Sequence, residues 1–401
     1  MLPLLLAAVV TVQLHSIPAP ADGFWSAVTA AKDGRIYIGL CKHGGAGHLV
    51  QYHPATREMR VLGNMTEVTR EQALGRQPQS KIHTKLWEGS DGRIYFATHL
   101  GNWWYHARES EAGSYPGGHW LAYDPQRDII EDFGIAFPQL GGIITLAMDS
   151  KRDLLYGMTF PHGHFVKFDP RTLEGKRLGR MNNWHAVVRT LVVDGNGRVY
   201  GSAEPNLIFR YDPDAGHVEF LPVEIPHREG LEPSPVTSTT TKRVWRTAIL
   251  SRDGTRIYGV QAGSVDLFEL ELESMKIRSL AQLAPDDFLD SARVPYASLS
   301  LTEGRDGVLY YAAQGGARRF DYYDTEGASS GGPRVHLISY DPRTGRRTDH
   351  GQLRGPRGEA VLGTEGATTS PDGTIYFVGL VADENRATGI HLIAYSPEMK
   401  Q

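Results

Sequence analysis

One phrase, Asp-Gly-x-Ile-Tyr with near variants, recurs along the chain around Tyr37, Tyr95, Tyr156, Tyr200, Tyr258, Tyr310 and Tyr376. Each copy is followed by an alternating apolar phrase, most often ending in an aromatic residue and Asp-Pro: HLVQYHP, HWLAYDP, HFVKFDP, LIFRYDP, LFELEL, HLISYDP and HLIAYSP. After most of these comes a short stretch ending near Leu-Gly or Phe-Gly, as at Leu62, Phe133 and Leu178. Internal repetition at this period restricts the chain to architectures built from one stacked unit. Apolar alternation over a few residues specifies strands, and the Gly, Asp, Asn and Pro between them specify tight turns. Each unit reads as four antiparallel strands. The Tyr-to-Tyr spacing of 44 to 66 residues fits one such blade plus loops. The expected fold is all-β: a seven-bladed β-propeller with four antiparallel strands per blade, residues 1–401 forming one domain.

The seventh unit stops at YSPEMKQ, without a fourth strand. Near the N-terminus, TVQLHSIPAP resembles the unit endings MRVLGNM and GKRLGRM. Residues 10–14, Val10 to Leu14, are therefore expected to complete blade seven and close the ring. A leader peptide competes for the same segment, with residues 1–9 as its remnant. The apolar run Leu2 to Val10 is too short to span a membrane, and no Lys or Arg precedes it. A working leader implies a secreted or periplasmic protein; otherwise the cytoplasm is expected.

Composition narrows the function classes. The 42 Lys and Arg against 46 Asp and Glu leave no basic excess for nucleic acid. No nucleic-acid partner and no membrane span are expected, and the protein is expected to be a monomer. Cys41 is the single cysteine, which excludes an internal disulfide and a Cys-rich zinc site. The chain has no nucleophile elbow, phosphate loop, HExxH or Cys-x-x-Cys. The stretches CKHGGAGH and SSGGP read as ordinary loops.

Blade geometry then sorts residues by face. Loops joining strand four to the next strand one, and strand two to three, share one face of a propeller. The long, varied segments fall in that set, so one face is a scaffold and the other is elaborated. Alignment on the repeated Tyr puts Trp25, His83, Ile144, Arg189, Arg246, Ser298 and Glu365 at the channel mouth, where the innermost strands begin. Burying His, Arg and Glu there carries a desolvation cost. Four residues after each Tyr come Cys41, His99, Phe160, Glu204, Ala262, Gln314 and Leu380. His99 is expected beside His83, and His119 starts the third strand of the same unit. Between them lies an insert with Trp103, Trp104 and Tyr115, an aromatic set suited to a sugar groove. His48, His164, His336 and His391 occupy positions equivalent to His119, which marks this histidine as a fold element in most units. His162 and His164 form a weak candidate metal pair, and His185 lies in the loop leading to Arg189.

The phrases KIHTKLWEGSDGRIYFATH, SYPGGHWLAYDP and LLYGMTFPHGHFVKFDP resemble propeller polysaccharide lyases, most closely the ulvan-lyase group and more distantly oligogalacturonate lyases. The likeness is strongest from Lys81 to Pro170. It implies β-elimination on a uronate-containing polysaccharide or oligosaccharide. His99 and His119 would correspond to the family's catalytic pair and Arg189 to its carboxylate partner. Phe160 stands where the family's Tyr is expected. In such chemistry a cation neutralises the uronate carboxylate while a base takes the C5 proton. The expected catalytic set is His99, His119, Arg189 and His83. The expected substrate-binding set is Arg246, Trp103, Trp104, Tyr115, His185 and Glu365. A divalent cation (Zn, Ca or Mn) is a possible cofactor. Two other readings stay open: a metal-dependent, lactonase-like hydrolase using Glu365, Asn182 and Glu204, and a non-catalytic glycan- or protein-binding propeller.

Overall fold

The computed structural model describes residues 8–101, 115–138, 141–182, 188–228, 230, 244–289, 296–315, 334–382 and 388–397. These residues form a β-propeller. Its strands group into successive four-stranded antiparallel units. The first runs Gly23–Ala30, Ile36–Cys41, His48–His53, Glu58–Asn64. The second has a broken inner strand, Lys81–Ile82 and Trp87–Glu88, then Ile94–His99, Trp120–Asp124 and Ile129–Asp132. Gly141–Asp149, Leu154–Pro161, His164–Asp169 and Glu174–Arg180 follow. The next inner strands are Val192–Val193, Trp245–Leu250, Leu301–Glu303 and Ala360–Thr369. No helix among the described residues is long and apolar enough to cross a membrane.

The repeated phrase has a physical cause. In Asp91-Gly92-Arg93-Ile94-Tyr95 the Asp91 carboxylate accepts the Arg93 backbone N–H at 3.0 Å and the Tyr95 hydroxyl at 2.8 Å. Gly92, at φ +78°, turns the chain in a conformation other residues rarely adopt. Asp306 and Tyr310 repeat the hydroxyl bond at 2.8 Å, and Asp194 and Tyr200 make it at 3.1 Å. The recurring Tyr is thus a tie between a strand and the turn that starts it. The Asp-Pro turns work similarly: Asp124, Asp169, Asp212 and Asp341 each accept the N–H two residues on.

Burial falls from the axis outward. Every residue of Gly141–Asp149 is buried, whereas Glu174–Arg180, the outer strand of that unit, is largely exposed and carries Glu174, Lys176, Arg177 and Arg180. Charged outer strands discourage edge-to-edge pairing. The core lies between neighbouring sheets, as where Tyr95, Trp120, Leu146 and Phe168 of two units meet.

The N-terminal segment joins the sheet that the C-terminus leaves incomplete. Gln13–Ser16 pairs antiparallel with Thr388–Tyr395, from Gln13 opposite Ala394 to Ser16 opposite His391. The expected span of 10–14 needs correction in its bounds. Val9–Thr11 pairs instead, in parallel, with Arg346–Arg354 of the preceding unit, and the chain crosses between the two sheets at the buried Val12. A repeat alignment cannot show such a crossing, because both pieces have the same apolar alternation.

Candidate functional site

The aligned channel-mouth residues do converge. A cavity of about 270 Å³ lies on the propeller axis, and its wall includes Ser26, Thr145, Thr190, Thr247, Leu299 and Gly366. Each directly follows one of the aligned residues Trp25, Ile144, Arg189, Arg246, Ser298 and Glu365. The mouth residues therefore form the ring just above this cavity, and its chemistry divides into two halves.

One half centres on His83. Its ring stacks on Trp25, with centroids 4.9 Å apart, and Lys81 Nζ lies 4.3 Å from the Trp25 ring on which it sits. His83 Nδ1 donates to the Ile144 carbonyl at 2.8 Å. A carbonyl only accepts, so Nδ1 carries the proton. Nε2 then presents its lone pair to Arg189 Nη1, 3.1 Å away. Burial, followed by the charges of Arg189, His99 and Lys81, holds the His83 pKa well below the ordinary value, in keeping with a neutral ring. His83 thus positions the Arg189 guanidinium, and its lone pair is already used in doing so. His99 sits 5.7 Å from His83 and 5.4 Å from Phe160, centroid to centroid. Gly142 makes room for it: a Cβ there would fall 2.4 Å from His99 Nδ1.

The other half is a closed ion pair. Arg246 is buried, and its Nη2 lies 2.9 Å from Glu365 Oε1. Its Nε donates to the Ala297 carbonyl at 2.8 Å, and Nη2 also donates to the Tyr296 hydroxyl. Glu365 Oε2 accepts the Leu299 N–H at 2.7 Å. Both residues expected to bind substrate here hold each other and the neighbouring inner strands.

His119 requires correction. Trp120 pairs with Ala97, which sets His119 opposite Thr98 rather than His99. Neighbouring strand positions point to opposite faces, so the two histidines leave the sheet on opposite sides. His99 meets Gly142 and Phe160 of the next unit. His119 is held between two carboxylates, with Nδ1 2.9 Å from Asp132 and Nε2 2.8 Å from Glu71. Burial opposes a charged ring there, but the hydrogen bonds and charges of Asp132 and Glu71 outweigh it and raise the pKa. With both nitrogens occupied, His119 is a buried tie, not a partner of His99. His336 repeats it: Nδ1 lies 3.0 Å from Asp349, and Asp349 accepts the Gly351 N–H as Asp132 accepts that of Gly134. This matches the reading of the repeated histidine as a fold element. Tyr115 is likewise engaged, its hydroxyl donating to Gln79 Oε1 at 2.6 Å. Trp103, Trp104 and His185 lie outside the described residues.

Metal ligands also fall elsewhere than expected. Among the described residues, one group of three metal-ligating side chains comes together: Asp22, Cys41 and His43, with donor atoms within 4.8 Å of one another. His162 and His164 are not part of it. Carboxylate, thiolate and imidazole suit a thiophilic divalent ion such as zinc. Burial pushes the Cys41 thiol up to about 12, so an ion would have to displace its proton. Burial of Asp22 is outweighed by its bonds to His43, which hold its carboxyl at about 2. The sequence signal was Cys41-x-His43 at the start of a loop that reads as ordinary. The hydrolase pieces do not assemble: Glu365 is paired with Arg246, Glu204 is exposed, and Asn182 donates to the Ser202 carbonyl.

No family model matches the chain, and no curated protein matches it. Solved structures do. A chain of the mitotic checkpoint complex matches with a TM-score of 0.57 at 10% identity, covering 97% of this chain and 94% of that one. A Kuenenia stuttgartiensis hydrazine synthase chain gives 0.53 at 13% identity, covering 95% and 96%. A putative 6-phosphogluconolactonase from Bacteroides uniformis gives 0.52 at 10% identity, covering 86% and 90%. The likeness is one of fold. Propellers host many unrelated activities, so function has to be argued from the mouth itself.

Proposed function

We propose that the chain is a polysaccharide lyase on a seven-bladed propeller, cleaving a uronate-containing glycan by β-elimination at the channel mouth. The observation that supports this most is the Arg189 guanidinium, bonded to neutral His83, whose ring in turn lies 5.7 Å from that of His99. Arg189 pairs with the uronate carboxylate, so that negative charge spreads into it as C5 loses its proton. His99 is the base that takes that proton. The C5–H electron pair forms the C4–C5 double bond, the C4–O bond breaks, and O4 takes a proton from water at the open mouth. Trp25 offers an aromatic wall for a sugar ring, and Lys81 adds positive charge to it. His83 is a positioning residue in this scheme. An acidic polysaccharide substrate belongs outside the cytoplasm, and the protein would act there as a monomer.

The test is near-ultraviolet absorbance during incubation with ulvan, polygalacturonate, alginate and glycosaminoglycans, with and without a chelator. An absorbance rise reports the unsaturated uronate that elimination creates. A flat trace with folded protein, alongside binding on a glycan array, would replace the lyase with a carbohydrate-binding propeller. Turnover of lactones, lost on chelation, would favour the hydrolase instead.

A further inference from the structure

The cavity beneath the mouth holds a cation that the elimination chemistry does not use. Lys85 extends into it from the break in the second unit's inner strand. Its ammonium lies 5.3 Å from the Trp87 ring. Among the described residues it has no hydrogen bond and no ion pair, and no carboxylate lines the cavity. Arg246, at the mouth above, is by contrast neutralised by Glu365. Burial lowers the Lys85 pKa, as it must when nothing nearby favours the charged form.

A second group in the same wall is also unsatisfied. Thr145 is fully buried, and its hydroxyl has no hydrogen-bond partner among the described residues. Buried polar groups without partners are uncommon in folded proteins, and each one calls for an explanation. Thr145 is such a group behind the wall, whereas Lys85 is partly exposed and is the charged group that a molecule in the cavity can reach. The remaining wall is mixed. Thr190 and Thr247 add hydroxyls, while Leu146, Val192, Ile249 and Leu299 are apolar.

We propose that this cavity is a binding site for a small monocarboxylate, with its carboxylate on Lys85 and its apolar end against the aliphatic wall. One ammonium and neutral hydroxyls balance one negative charge. A dianion such as sulfate would bring an uncompensated charge into a low-dielectric channel. The volume of about 270 Å³ admits a molecule of a few heavy atoms but no polysaccharide, so the site is distinct from the mouth above it. The proposal stands independently of the lyase reading.

The experiment is calorimetric titration of the full chain with butyrate, its neutral isostere butyramide, and sulfate. Butyrate is expected to bind saturably, one per chain. Butyramide should bind at least about tenfold more weakly, because a charge-assisted hydrogen bond is lost. Lys85→Met should weaken butyrate by a similar factor or more, while removing a buried charge and keeping side-chain volume. Thr145→Val should leave it nearly unchanged, because that hydroxyl has no surface in the cavity. Equal binding of butyrate and butyramide would overturn the proposal. So would tighter binding of sulfate than butyrate, unchanged butyrate affinity in Lys85→Met, or no saturable binding at all.

Discussion

The two arginines at the channel mouth occupy aligned positions in neighbouring units and do different things. Arg246 is buried against Glu365 and ties three inner strands together. Arg189 is bonded to a neutral histidine that in turn hangs from the Ile144 carbonyl. The same side chain at the same point of the repeat is a strut in one half of the ring and a positioned cation in the other. The difference comes from the residues opposite. A carboxylate cancels the charge of Arg246, while an imidazole lone pair orients the Arg189 fork.

That contrast can be broken from either side. Replacing Glu365 with Ala leaves Arg246 buried without its carboxylate and should cost about 3–5 kcal/mol of stability. Denaturant unfolding reads this, and a loss below about 1 kcal/mol would show that the pair is not a strut. Replacing Arg189 with Ala should leave unfolding nearly unchanged. It should lower turnover on the active polysaccharide by about 10²–10³-fold, the usual effect of removing one charge-stabilising donor. Retained turnover would take Arg189 out of the mechanism. Replacing Gly142 with Ala pushes on His99, since the new methyl would overlap its ring and crowd its Cα. Turnover should fall, by up to about 10²-fold for a displacement of about 1 Å, with a smaller loss of stability.

The smallest expected effects are in pH dependence, and here two histidines pull in opposite directions. The His119 pKa is raised in the fold, so its contribution is complete below the unfolded value of about 6.5 and is lost as pH rises through the folded value. The His83 pKa is lowered, so its contribution is present above about 6.5 and is lost as pH falls toward the folded value. His119→Gln should therefore flatten the alkaline limb of the stability profile, and His83→Gln the acid limb. Unfolding midpoints across pH 5 to 9 separate them. Identical profiles for the two variants would mean that neither environment is as drawn.

Much of this molecule is legible from the repeat. The turn aspartate and its tyrosine recur because each unit needs the same local hydrogen bond. The channel ring could be named by counting back from that tyrosine, and the cavity wall follows it in six of the seven units. The His-to-Asp tie is also visible in retrospect, since Asp132 and Asp349 each lie 13 residues after their histidines. What failed was the pairing of His99 with His119. A tight hairpin fixes register, but residues 100–118 form a long connection, and with it the register was open. A shift of one residue reverses the face of every side chain, and that shift separates the two histidines.

The sequence by itself determined the architecture, because turn chemistry and strand alternation are local and repeat in each unit. It also determined which residues begin the inner strands, because that is a matter of counting. Only the tertiary structure decided which partner each of them meets. His83 found a carbonyl and an arginine, Arg246 a carboxylate, His119 two carboxylates, and Asp22, Cys41 and His43 one another. Apart from Asp132, which lies in the same unit as His119, those partners come from other units or from loops. Charge, tautomer and proton affinity depend on the neighbour across the gap, and no local pattern encodes that neighbour.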